Sequence, residues 1–140
     1  MKGINLNRVI LGGLAAGVLI WLLEGVSSMF YATDLQAAMT AHSMSMEVGA
    51  STVVLSIVVS LILGFTLVFL YAAVRPRFGP GPKTAACVAV TLWCGGYLLS
   101  LTAYQMFGLF PVKILVLWAV VGLVEMILAA NLGAWLYKEG

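Results

Sequence analysis

Two glutamates stand where a carboxylate is hardest to keep. Glu24 interrupts the apolar run Val9–Tyr31, and Glu125 interrupts Phe110–Tyr137. A charged side chain at the centre of a membrane helix costs at least about 2.5–3.5 kcal/mol on insertion scales, so such a residue marks either chemistry or a structural hydrogen bond. At the rise of an α-helix, Glu24 lies about 22 Å from the start of its run and Glu125 about 18 Å from the end of its own. The two depths match if the helices run in opposite directions. Rotation agrees with depth. Glu24 follows Gly17 by seven residues, and Glu125 is flanked on its face by Gly122 and Ala129. Both therefore point toward helix contacts rather than lipid. If the two helices are neighbours, two carboxyl groups at close range in a low dielectric cannot both carry charge, so they share a proton or hold a cation. The alternative is interhelical glue, with partners among Ser27, Ser28, Ser56, Ser60, Thr91, Ser100 and Asn131.

A second cluster lies between the first two apolar runs. Met39, His42, Met44 and Met46 offer thioether and imidazole groups, which suit Cu(I). The plain alternative is a solvated histidine among methionines that fill an amphipathic face. Tyr97, Tyr104, Trp93 and Trp118 are spaced to serve as core aromatics, or to line a pocket for a lipid or another hydrophobic ligand. No Ser-His-Asp set, HExxH, P-loop or GxGxxG is present, and few polar groups lie outside the apolar runs, so no enzyme activity and no cofactor are expected. Cys87 and Cys94, seven residues apart on one helix, are about 10 Å apart and cannot pair.

The elements that must carry these residues follow from composition. Hydrophobic residues make up 63% of the 140 and charged residues 9%, with a mean hydropathy of +1.11. Soluble domains carry about 25% charged residues, so lipid is the solvent that suits this chain. A net charge of +2 with no basic stripe argues against a nucleic-acid partner. Four runs reach the roughly 20 residues that a bilayer core demands. They cover 9–31, 49–74, 84–107 and 110–137 of a single domain. The first is too long for a cleavable leader and reads as a retained helix. Arg75 to Lys83 holds three prolines and two glycines in nine residues and predicts a stiff link. Asp34 is placed to cap a short amphipathic helix lying at the membrane surface, with Leu35, Ala38 and Met39 on one face.

Orientation follows from the basic residues. Lys2, Arg8, Arg75, Arg77, Lys83 and Lys138 fall on one side of a four-span chain and Lys113 alone on the other. The positive-inside rule makes the first group cytoplasmic, with both termini, and the His42 segment periplasmic. Each span also offers small residues for close packing. Gly13 and Gly17 form a GxxxG, Thr52, Ser56, Ser60 and Gly64 recur every fourth residue, and Gly122, Ala129 and Gly133 share a stripe. The fold class expected is an all-α membrane protein, an antiparallel bundle of four transmembrane helices.

Leu70 to Thr84, with Arg-Pro-Arg-Phe-Gly-Pro-Gly-Pro at its centre, joins Gly12 to Gly17 and Gly122 to Tyr137 as the most distinctive stretches. Across most of its length the chain resembles a group of small bacterial inner-membrane proteins of four helices that carry no assigned function. The resemblance implies a bacterial cytoplasmic membrane and four spans, and brings no activity or ligand. Three functions are therefore expected. The first is a small permeation or transport protein that binds a proton or cation at Glu24 and Glu125. The second is a structural or accessory subunit, a homo-oligomer or part of a larger membrane complex, in which the same residues are glue. The third is a periplasmic Cu(I) contact through His42 and the methionines.

Overall fold

In the computed structural model, residues 3–45 and 47–138 are described. The order of elements is α1 (Leu6–Ala41), α2 (Ala50–Phe78), α3 (Pro82–Leu92), a wide π-helical turn (Trp93–Tyr97), α4 (Leu98–Met106) and α5 (Val112–Leu136). Among the described residues there is no strand. Four helical stretches are long and apolar enough to cross a membrane: α1, α2, α3 through α4 as one continuous rod, and α5.

The spans are helical because they are unbroken runs of apolar residues, and lipid leaves the backbone no partner but itself. What places them is small side chains. Gly64 of α2 sits against the backbone of Gly13 and Gly17, so a side chain there would meet main-chain atoms of α1. A carbon added at Gly17 would lie 2.7 Å from the Leu61 Cα, and one added at Gly12 would lie 2.8 Å from the Gly133 carbonyl oxygen of α5. As α1 proceeds from Gly12 through Gly17 to Trp21, its partners on α2 recede from Val68 through Leu61 to Ser56. On α5 they recede from Gly133 through Glu125 to Lys113. Among the described residues the backbone of α1 packs closely on α2 and α5 but on neither α3 nor α4, and that of α3 packs on α2 and α5. The core is densest toward the end that carries Arg75, where Leu67, Val68, Ala85, Ala89, Ala129 and Ala130 are all but inaccessible. Tyr71 and Tyr137 meet edge to face there, and Tyr71 Oη accepts from the Gly81 amide at 3.1 Å.

Two boundaries differ from the sequence-based expectation. The segment after Tyr31 is not a separate surface helix: α1 continues without interruption to Ala41. Nothing from Ala32 to Ala41 is glycine or proline, and extending an existing helix avoids a second costly nucleation. Tyr31, Leu35 and Ala38 continue one stripe of α1, with Tyr31 and Ala38 buried. Asp34 caps nothing; its carboxylate accepts from Lys113 Nζ at 2.8 Å, an exposed pair. The helix ends at His42, and Ser43 follows with a positive φ of 57°.

The second difference is at the proline-rich link. Helix α2 runs through Arg75-Pro76-Arg77 to Phe78, with Pro76 inside its last turns. A proline there removes one intrahelical bond, a loss a single site bears near a helix end. The actual breakers are Gly79 and Gly81, at φ 83° and 126°, a backbone region that suits glycine. Pro82 then opens α3, where its missing N–H is no loss. Thr84 Oγ1 donates to the Gly79 carbonyl at 2.8 Å and ties the link to the new helix.

Candidate functional site

The two glutamates meet. Glu24 of α1 and Glu125 of α5 come to the same stretch of the contact between these helices, where Ser27 lies against both residues. Glu125 is 6% exposed, whereas Glu24 is exposed on the side of a cleft. Hydroxyl groups of α1 serve both. Ser27 Oγ lies 3.1 Å from Glu125 Oε1 and 3.2 Å from its own helix's Glu24 carbonyl, so its one proton can serve either acceptor. Tyr31 Oη donates to Glu24 Oε1. Glu24, Ser27 and Tyr31 follow one another by three and four residues, which puts them on one stripe of α1, two turns long.

Among the described residues, neither glutamate is in an ion pair, and the basic side chain nearest in the α1–α5 contact, Lys113, is taken by Asp34. The cleft beside Glu24 has a volume of about 440 Å³ and is walled by Tyr31, Tyr97, Ser100, Leu101, Tyr104 and Trp118 among others. Its rings hold one another in place. Tyr31 meets Trp118 edge to face at 5.7 Å between centroids, Trp118 meets Phe110 at 5.1 Å, and Phe110 meets Tyr104 at 5.7 Å. Such edge-to-face contacts are the favoured geometry for aromatic pairs.

Comparison with family models, with curated proteins and with solved structures finds no match to this chain. What the site can do is therefore read from its own atoms.

The wide turn at Trp93–Tyr97 delivers Tyr97 to the cleft. Trp-Cys-Gly-Gly-Tyr loosens the helix at Gly95 and Gly96, where an added carbon would meet no atom of another part of the chain within 4 Å. Trp93 does not line the cleft; its Nε1 donates to the Ala119 carbonyl at 2.9 Å and pins the turn to α5. The ring of Tyr97 lies over Gly122, where an added carbon would come within 2.8 Å of it. Gly122 is thus less a site of helix–helix approach than a seat for an aromatic ring, one turn before Glu125. Turns of this type recur at functional sites.

Other residues singled out from sequence stand apart from the pair. Asn131 bonds back to Ile127 of its own helix at 2.8 Å and faces a separate cavity with Tyr71 and Arg75. Ser56 accepts from Trp21 Nε1 at 3.0 Å and donates to the Val53 carbonyl, and bonds to neither glutamate. Ser60 contributes its backbone to the Gly17 contact. Gly13, Gly17, Gly64 and Gly133 are where the helices come closest. His42 and Met44 are exposed at the end of α1 and Met39 is partly buried; Met46 lies outside the described residues. Among the described residues, no three of His, Cys, Asp or Glu gather as a metal site built of those residues alone would need, a set that does not count methionine sulfurs.

Proposed function

We propose that the chain is a small permeation or transport protein of a bacterial cytoplasmic membrane, and that Glu24 and Glu125 bind a proton or a cation within the bilayer. Support comes above all from one observation: Glu24 and Glu125 are brought to one place on α1 and α5 by Ser27, beside an open cleft, and among the described residues neither is in an ion pair. Two carboxylates at such range repel strongly in a poorly polarisable medium, so the pair retains one proton or takes up a positive charge from outside. Ser27 and Tyr31 keep the remaining oxygens solvated by hydroxyls when that charge leaves. The bundle is antiparallel with both termini cytoplasmic, a reading supported by the six basic residues that fall on one side and by Lys113 alone on the other. The end of α1 beyond Tyr31 then lies in the periplasm.

The test is proton flux in liposomes that hold the purified chain. Glu24→Gln and Glu125→Gln each abolish flux on this reading while leaving the melting temperature close to that of the parent. Flux that survives both changes rules the pair out. A second reading, an accessory subunit with the pair as glue, draws on the same hydroxyl bonds of Tyr31 and Ser27. It predicts that the chain leaves the native membrane in a larger complex of fixed stoichiometry, and that either substitution releases it.

A further inference from the structure

The cleft beside Glu24 is far larger than a proton or a bare metal ion needs. Its volume of about 440 Å³ falls within the roughly 300–1,000 Å³ common for small-molecule sites. Its lining carries one exposed carboxylate, Glu24, and the rings of Tyr31, Tyr97, Tyr104 and Trp118, with Leu35 and Leu101 among them, while Glu125 lies close by through Ser27. A ring presents a negative face that attracts a cation within about 6 Å, and several rings around one carboxylate make a surface suited to a weakly hydrated positive charge. A metal dication asks for six or so oxygen ligands or a ring of nitrogens and sulfurs, and the cleft supplies neither. Its lining hydroxyls, on Tyr31, Tyr97, Tyr104 and Ser100, are spread over three segments of chain.

Access points to the same kind of ligand. Among the described residues the backbone of α1 packs on α2 and α5 and does not approach that of α4, and the cleft lies between side chains of α1 and α4. Phe30, next in the chain to Tyr31 of the cleft, and Met106 and Phe107, two and three residues after Tyr104, are exposed apolar side chains. A hydrophobic cation accumulates at a bilayer and can reach such a gap sideways, whereas a hydrated ion cannot.

We propose that this cleft binds an organic ammonium with apolar substituents, its charge set against the Glu24–Glu125 pair and its substituents against Tyr97, Tyr104 and Trp118. The inference rests on the reading of the pair as a cation-binding carboxylate dyad, and it names the cation. Binding displaces the shared proton: one ammonium enters, one proton leaves, and the charge of the site is conserved.

The experiment uses the full chain in lipid nanodiscs and benzyltrimethylammonium as probe, with neopentylbenzene as its uncharged isostere. Titration calorimetry in buffers of different ionisation enthalpy counts protons released. The wild type binds the ammonium saturably with about one proton released per cation. Glu24→Gln weakens binding by roughly 10-fold or more, and Tyr104→Leu by roughly 5- to 10-fold, the loss of a desolvated cation–π contact. Tyr104→Phe keeps the ring, with its contact to Phe110, and restores affinity. Equal binding of the isostere, or equal affinity in Glu24→Gln and Tyr104→Leu, overturns the inference. A parallel infrared measurement separates the two layers. A protonated-carboxyl band that disappears in Glu24→Gln or Glu125→Gln, with no ammonium binding, defeats the ligand and leaves the proton-binding pair standing. Absence of both the band and the binding defeats the pair as well.

Discussion

Replacing Gly64 by alanine tests how the bundle is held together. The added methyl of Gly64→Ala would come 2.6 Å from the Gly17 Cα and also meet the backbone of Gly13. Carbon atoms in contact prefer about 3.5–4.0 Å, so α1 and α2 must separate by roughly 1 Å. Backbone cannot step aside as a flexible side chain does. A gap of that size forfeits a quarter to a half of the dispersion attraction at each contact it opens. In lipid this matters more than in water, since no hydrophobic force drives the helices together again. Overpacking of this kind costs about 1–3 kcal/mol. Alanine also raises helix propensity, by up to about 1 kcal/mol over glycine, which masks part of the loss. Gly25→Ala removes that ambiguity. It makes the same chemical change inside a span, yet a methyl there has no neighbour within 4 Å. Propensity cancels between the two variants, and the difference left is the packing term of roughly 1–3 kcal/mol. Reversible unfolding of both in mixed micelles, followed by circular dichroism, measures it. If Gly64→Ala proves as stable as Gly25→Ala, the close crossing of α1 and α2 does not carry the fold and the reasoning fails.

Tyr31→Phe keeps the ring against Trp118 but removes the donor to Glu24, and is expected to lower unfolding stability by about 1–3 kcal/mol, the penalty for leaving a charged or polar partner short of a bond. Trp93→Phe takes away the indole bond to the Ala119 carbonyl and is expected to speed amide hydrogen exchange at Cys94–Tyr97 relative to the rest of the third span. Asp34→Asn breaks the pair with Lys113, whose side chain is 81% exposed, and the melting temperature should not move. Reporter fusions at the C-terminus and within 79–83 should both read cytoplasmic; a periplasmic signal at either refutes the proposed orientation.

Much of the frame was legible before any coordinates. Apolar runs of more than 20 residues announce spans because nothing else in the chain can satisfy a backbone in lipid. Glu24 and Glu125 stood out for a related reason: a carboxylate is too costly there to be incidental. Gly13 and Gly17 were readable as a contact face, though only the structure supplies Gly64 as their partner. Sequence gave no access to neighbour relations. Whether α1 lies beside α5 is a matter of tertiary packing, and Tyr31 joins the site only through its seven-residue spacing from Glu24, a signal that periodicity could have supplied. Asp34 followed by an alanine-rich stretch reads as a helix start, yet the preceding turn was already helical and Lys113 claims the carboxylate from another element. The wide turn at Gly95 and Gly96 was equally hidden, since paired glycines in a span more often signal close packing, and here an added carbon would meet no atom of another part of the chain.

A wide turn holds one residue more than its length along the axis needs. Deletion of one codon anywhere else in the third span would turn everything beyond it by about 100°. Thr84, Ala85, Val88 and Ala89 would then hold their places while Tyr97, Ser100 and Tyr104 swung away from Glu24, or the reverse. At Cys94–Gly96 the same deletion closes the turn to ordinary α geometry and leaves both halves facing as before. Length variation among descendants of this gene is therefore expected to collect at those three codons, where natural selection tolerates a frame-preserving gain or loss that it would purge elsewhere in the helix.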